Sequence, residues 1–202
     1  IGTNEILVGN EAVGIKSSTP TTPNSLELRK IFAKMLRMGA EYVVMEVSSH
    51  ALELHRVAGL CYDVGVFTNL TQDHLDYHKT MENYFLAKKK LFNISKVGVI
   101  NCDDEYGARI IKDAACDVLS ISTKGEGLYA ENIRIDHTGV EFLAVYEGEK
   151  YPVTLGIPGL FSVYNGLCAL GAAIKLGTSP ELAAKALSLA NGVKGRLERV
   201  VT

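Results

Sequence analysis

The amino-acid sequence predicts an α/β protein: a mostly parallel sheet flanked by helices, with a small antiparallel sheet appended. Three observations carry that expectation. Apolar runs of strand length (residues 42–47, 64–68, 97–101 and 117–121) alternate with amphipathic segments of helical length, the pattern of strands joined by right-handed helical crossovers. After Gly127 the pattern changes to period two, with turn residues between the runs. The chain has 202 residues, 47% of them apolar, which is enough to bury a core without a metal or disulfide staple.

In chain order, Glu5 to Lys16 holds two short apolar runs around Gly9-Asn10, a hairpin signal. The two prolines in Thr19-Pro20-Thr21-Thr22-Pro23 make that stretch irregular. A helix is expected to follow, with Thr22 as cap, Pro23 in its first turn, and Leu26, Ile31, Phe32, Met35 and Leu36 as its apolar face. Gly39 ends it. Tyr42 to Val47 then reads as a strand buried on both faces. Val64–Thr68 is a strand, Met81–Phe92 a helix, Val97–Asn101 a strand, Asp104–Ala114 a helix capped by Asp103, and Asp117–Ile121 a strand. Ala130–Ile135, Val140–Tyr146 and Tyr151–Leu155 form the antiparallel meander, and helices Leu160–Leu176 and Pro180–Leu189 close the pattern.

Composition narrows the function. The formal charge of -2, from 21 basic and 23 acidic residues, gives no electrostatic footprint for nucleic acid. The apolar stretch Leu167 to Ile174 is far too short to span a bilayer, so no membrane partner is expected. The four cysteines lack C-x-x-C spacing, which argues against a zinc site or a disulfide framework and fits a reducing, cytoplasmic setting.

Four of the five histidines (His50, His55, His74 and His78) fall within 29 residues, with Asp73 and Asp76 among them and Glu46 four residues before. This window follows two predicted strands, and ligands of open α/β sheets bind beyond the carboxyl ends of strands. Each residue alone has an ordinary alternative: Ser48 or Ser49 as a helix cap, an acid as a turn former. Their joint occurrence marks a site.

Thr21-Thr22-Pro23, Met45-Glu46-Val47-Ser48-Ser49-His50-Ala51-Leu52, Arg56-Val57 and Thr68-Asn69-Leu70-Thr71-Gln72-Asp73-His74-Leu75-Asp76-Tyr77-His78 together resemble the Mur ligase family, in the branch that adds the third peptide residue of the peptidoglycan precursor. Tyr84 to Lys88 and Gly195-Arg196-Leu197-Glu198 fit at the expected places. The resemblance covers essentially the whole chain. It implies a P-loop NTPase-like central ATP-binding domain over residues 1–194 and a hinge over 195–202. It also implies a cytoplasmic amide ligase using ATP and Mg2+, with a UDP-N-acetylmuramoyl dipeptide and a diamino acid as substrates. The substrate carboxylate becomes an acyl phosphate, which an amine then attacks.

By that resemblance Glu46, His74 and Lys88 are the metal-binding and catalytic residues. Lys88 is matched to a lysine carbamoylated by CO2, which turns a cation into an anion able to ligate. Read without the family, Lys88 is part of a solvated helix face. Thr21, Thr22, Ser48 and Arg56 match substrate-binding positions, Asn165 a position near adenine, and Arg196 a nucleotide contact, or else a solvated residue. His50 either supports a ligand or serves packing.

The chain departs from the family pattern at Leu54, where some members have glutamine, and at Ser162, where an asparagine is usual and where a serine can cap the following helix. No G-x-x-x-x-G-K-[ST] phosphate loop is present and the first residue is Ile1, so the expectation is an N-terminally truncated domain, inactive by itself and prone to self-association through exposed sheet. Folylpolyglutamate synthase-like and cyanophycin-type ligases, or a degenerate non-catalytic binding module, are the alternatives.

Overall fold

A computed structural model of the chain describes residues 1–190. They fall into two compact units: Ile1–Cys61 with Gln72–Ile94, and Tyr62–Thr71 with the chain from Ser95 onward. The expected domain boundary after residue 194 lies outside the described residues.

In the first unit, β1 (Leu7–Val8) and β2 (Glu11–Ala12) form the expected hairpin. Helix α1 (Ser25–Arg37) packs on it, with Val13, Ile31 and Met35 buried among Ile6, Val8 and Ile15. The cap is Asn24, whose side chain accepts from Glu27 N while Glu27 reaches back to Asn24 N, a reciprocal box that satisfies two orphan donors. Thr22 is therefore not the cap. The helix ends as expected at Gly39, whose φ of 83° lets the Gly39 and Ala40 amides turn back to Leu36 O and Met35 O. The buried stripe is Leu28, Ile31 and Met35. Leu26 and Leu36 are exposed because helical periodicity places them off that stripe.

Residues 42–47 correct the expectation of a buried strand. They are not part of a strand, though Ile1 pairs with them in parallel fashion: the Ile1 ammonium donates to Val44 O at 2.8 Å and Glu46 N donates to Ile1 O at 2.9 Å. Met45 and Val47 turn inward onto Leu28, Leu52 and Val57, whereas Tyr42, Val43 and Val44 stand exposed along a groove of about 380 Å³. An apolar run of strand length is buried on both faces only where neighbours cover both. Ile1 lies alongside this run, and Tyr42, Val43 and Val44 remain exposed. Helix α2 (Ser49–Glu53) follows, then the short α3 (Leu75–His78) and α4 (Met81–Lys89), which continues as a 3-10 turn through Asn93.

The second unit is one six-stranded sheet, β3 (Tyr62–Phe67), β4 (Ser95–Asn101), β5 (Asp117–Ser122), β6 (Leu128–Ile135), β7 (Val140–Tyr146) and β8 (Glu149–Leu155), in that spatial order. β3 through β6 are parallel and β6–β7–β8 antiparallel. The meander thus extends the parallel strands edge to edge. Helix α6 (Leu160–Lys175) lies on the face that carries Val99, Leu119 and Leu128, and α7 (Pro180–Ser188) adds Ala183 and Ala184 to the same core.

Helix α5 (Glu105–Asp113) packs beside Phe67, whose register partner Ile100 points away from Val99 and so lies on the other face of the sheet. Its approach to the strand end is close enough that a Cβ on Gly107 would fall 1.8 Å from Asn101 O. The cap of α5 is Asp104, not Asp103: Asp104 accepts from Tyr106 N and Gly107 N, and from Leu70 N in the loop after β3. Asp103, one residue earlier, faces β5 instead.

Candidate functional site

Most of the predicted site residues lie in the first unit, where two loops and a helix meet. After the extended run, Ser48 caps α2: its Oγ accepts from Ala51 N at 3.1 Å, the ordinary use of a serine there. Its own amide donates to Thr22 Oγ1 at 3.0 Å, and that hydroxyl donates to Glu46 O at 2.9 Å. Thr22 is fully buried, and Arg56 Nη1 donates to its carbonyl at 3.2 Å. Thr21, Thr22, Ser48 and Arg56 are therefore contiguous.

Thr21 has φ of 61°, a conformation that β-branched residues rarely hold. Its hydroxyl lies 3.0 Å from Thr3 Oγ1, which donates to Glu46 Oε2 at 2.6 Å. The other carboxylate oxygen sits over bare backbone, since a Cβ on Gly2 would lie 2.9 Å from Glu46 Oε1.

The second loop supplies a cluster of rings. His74 enters it with φ of 53° and Lys79 leaves α3 with φ of 67°, so two left-handed residues aim this one-turn helix. His50 lies 5.2 Å from His74, 5.3 Å from His78 and 4.2 Å from Tyr77, centroid to centroid. His78 stacks on Tyr84 at 5.0 Å and 17°. His74 meets the Tyr84 ring edge-on at 5.9 Å, and Lys88 Nζ, one helical turn along α4, is 5.7 Å from the same ring.

Burial lowers the pKa of Lys88, and among the described residues no carboxylate opposes the shift. Burial likewise lowers His50, helped by His74 and Arg56, and lowers His78, helped by His50, so both imidazoles favour the neutral form. Burial raises Tyr84, and Asp73 adds to it.

The structure thus brings His74 and Lys88 together on Tyr84, and Glu46 together with Thr3 and the Thr21–Ser48 group. The two sets are joined where His78 Nε2 meets Ser49 Oγ at 2.8 Å. Among the described residues, no three His, Cys, Asp or Glu side chains are grouped so as to hold a metal ion by themselves. Thr3, Ser49 and His78 carry much of this geometry, though sequence alone assigns none of them a site role. Ser49 and His78 stood inside the polar strings noted above, whereas nothing local distinguishes Thr3.

In the second unit Asn165 is exposed on α6. One turn earlier Ser162 does not cap: Gly159 holds that place, and the Ser162 hydroxyl is buried with no partner among the described residues, because the chain enters the helix with its side chain facing the core. Beside it, Asp103 accepts from Ser122 Oγ (2.9 Å), Thr123 N (2.7 Å), Thr123 Oγ1 (2.8 Å) and Tyr164 OH (2.9 Å). Burial alone would raise this carboxyl, but the donors from Thr123, Tyr164 and Ser122 outweigh it and hold the pKa below its ordinary value. All four cysteines are free, and no helix among the described residues is long and apolar enough to cross a membrane. Arg196 lies outside the described residues.

Comparison with known proteins bears directly on this arrangement. The family model for the Mur ligase middle domain matches residues 2–173. The chain is 45% identical over 201 residues to UDP-N-acetylmuramoyl-L-alanyl-D-glutamate--2,6-diaminopimelate ligase 1 of Clostridium acetobutylicum, covering 99% of this chain and 41% of that protein. It is 40% identical to the corresponding ligase of Streptomyces coelicolor, covering 99% and 40%. The chain therefore spans about two-fifths of the length of these relatives. A solved UDP-N-acetylmuramoyl-L-alanyl-D-glutamate--2,6-diaminopimelate ligase superposes with a TM-score of 0.82 at 29% identity, covering 96% of this chain and 41% of that one. MurF ligase from Thermotoga maritima in complex with ADP has the same fold at a TM-score of 0.63 and 17% identity, over 85% and 41%. With a family model spanning most of its length and relatives at 40–45% identity, this chain belongs to the Mur ligase family, through its middle domain.

Proposed function

We propose that the chain is the middle-domain part of a cytoplasmic, ATP-dependent ligase that joins a diamino acid, diaminopimelate in the named relatives, to UDP-N-acetylmuramoyl-L-alanyl-D-glutamate for peptidoglycan synthesis. The observation that carries the reading is Lys88: a desolvated amine with no acid partner among the described residues, near the Tyr84 ring that His74 also meets. A lysine kept for its positive charge would have an anion near it. One kept with a lowered pKa is suited to react as a free amine. Its lone pair attacks the carbon of CO2, an N–C bond forms, one C–O π pair moves onto oxygen, and a proton leaves to solvent. The product is a carbamate, an anion where a cation stood.

In this reading Glu46, His74 and carbamoylated Lys88 would hold Mg2+. The donor chemistry fits: Glu46 and the carbamate offer hard oxygens, and magnesium is commonly held by one or two carboxylates together with phosphate oxygens and water, so a closed protein cage is not needed. When bound, the metal neutralises charge between the nucleotide phosphates and the substrate carboxylate. Thr21, Ser48 and Arg56 present hydroxyls and a guanidinium to the UDP-linked peptide, Thr22 holds that surface from beneath through its buried hydroxyl, and Asn165 and Arg196 contact the nucleotide. Phosphoryl transfer makes a P–O bond to the substrate carboxylate as the bond to ADP breaks. The amine nitrogen then bonds to the carbonyl carbon, phosphate leaves, and the nitrogen loses a proton. The identities reported above favour this reading over a folate or cyanophycin ligase. The exposed Tyr42, Val43 and Val44 support self-association of the isolated chain with a second copy.

The test is Lys88→Ala in a full-length protein carrying this sequence. Turnover is expected to disappear and to return in part with a small carboxylate. Unimpaired turnover overturns the role of Lys88.

A further inference from the structure

His78 has no part in the chemistry above, yet it is where the two halves of the site touch. It is 5% exposed, at the end of α3, and Ser49, 29 residues earlier, is 2% exposed. The Nε2–Oγ distance of 2.8 Å makes this a buried bond between polar groups with no solvent to substitute for either. Ser49 follows Ser48, whose amide is held by Thr22. On its other side His78 stacks flat on Tyr84, and its carbonyl accepts from Asn83 Nδ2 at 3.0 Å, so it is tied twice to α4. The Tyr84 ring is in turn the surface against which His74 and the Lys88 amine rest.

We propose that His78 is a positioning residue: through Ser49 on one side and Tyr84 on the other, it sets the Lys88 amine and the His74 imidazole in register with the Thr22–Ser48 side of the site. Lys88 has a long, rotatable side chain, and a carbamate there is retained only where its oxygens meet their partners. A ring that fixes Tyr84 narrows the volume the amine explores, and a hydrogen bond to Ser49 fixes that ring. The inference rests on the carbamate reading of Lys88.

The experiment measures, in a full-length protein carrying this sequence, the bicarbonate concentration for half-maximal turnover and the NMR signal of the Lys88 carbamate formed from isotope-labelled bicarbonate. The His78→Ala variant is expected to need about 10- to 100-fold more bicarbonate, the usual loss when a partner supporting a ligand is removed, with kcat restored at high bicarbonate and KM for ATP unchanged. Ser49→Ala, which keeps the stack, moves the requirement the same way by less. A purely architectural role would lower the melting temperature and leave the bicarbonate requirement alone. A folded His78→Ala with wild-type bicarbonate dependence overturns the proposal, and if that variant does not fold, Ser49→Ala decides on the same criterion. A wild type with neither carbamate signal nor bicarbonate dependence overturns the underlying reading of Lys88, and this inference with it. A wild type that shows both, with variants that match it, overturns only the role of His78.

Discussion

Thr22 offers the sharpest test of how the site is built, because Thr22→Val keeps the shape and removes only the hydroxyl. Thr22 is fully buried, so the substitution opens no cavity. It strands two backbone groups, the Ser48 amide that donates to Thr22 Oγ1 at 3.0 Å and the Glu46 carbonyl that accepts from it at 2.9 Å. A buried group left without a partner costs about 1–3 kcal/mol. Ser48 is half-buried and Glu46 exposed, so water recovers part of that, and the low end applies to each group. The expected loss is about 2–3 kcal/mol, roughly 30- to 150-fold in the unfolding equilibrium.

Thr22→Ser, which keeps both bonds and loses a methyl, should cost about 1 kcal/mol. Urea unfolding of the two variants gives the difference, and amide exchange at Ser48 shows where it arises: protection is lost in Thr22→Val and kept in Thr22→Ser. A valine variant within about 0.5 kcal/mol of wild type, with the Ser48 amide still protected, would refute the assignment of this hydroxyl as the link between the Glu46 run and α2.

Two further outcomes follow from the second unit. Gly107→Ala should destabilise by about 2–3 kcal/mol in urea unfolding despite the better helix propensity of alanine, since its Cβ meets a strand-end carbonyl oxygen at 1.8 Å; a variant as stable as wild type would refute the close approach of α5. The Asp103 carboxyl has a folded pKa below its ordinary value of 3.8, so its contribution to stability is complete above that value and is lost as pH falls through the lower folded one. Asp103→Asn should therefore weaken the fold at neutral pH by about 1–3 kcal/mol and flatten the acid limb of the stability profile; an unchanged acid limb would refute it.

The alternation of apolar runs located β3, β4, β5 and the meander to within a few residues, because backbone period and side-chain alternation are local properties. The polar strings after the 42–47 run and after β3, Ser48 to His50 and Asp73 to His78, lie against one another in the fold, and they concentrate chemistry that loops do not need for turning. Individual partners were less legible. Asp103 and Asp104 are both good caps by composition, and so are Thr22 and Asn24. Which of each pair serves depends on where Thr123 and Tyr164, or Glu46 and Ser48, arrive from distant parts of the chain.

The residues from Tyr42 to Val47 show the same limit from the other side. Their sequence determined an extended, apolar segment. Only the folded arrangement decided that Met45 and Val47 turn inward while Tyr42 and Val44 face outward with Ile1 alongside. By itself, then, the sequence determined the order of strands and helices and the residues eligible for chemistry. The tertiary structure decided which hydroxyl meets which amide and which ring Lys88 rests on. The reason is range: a conformational period is set within a few residues, but a hydrogen bond of about 3 Å exists only after segments tens of residues apart have been brought to that distance.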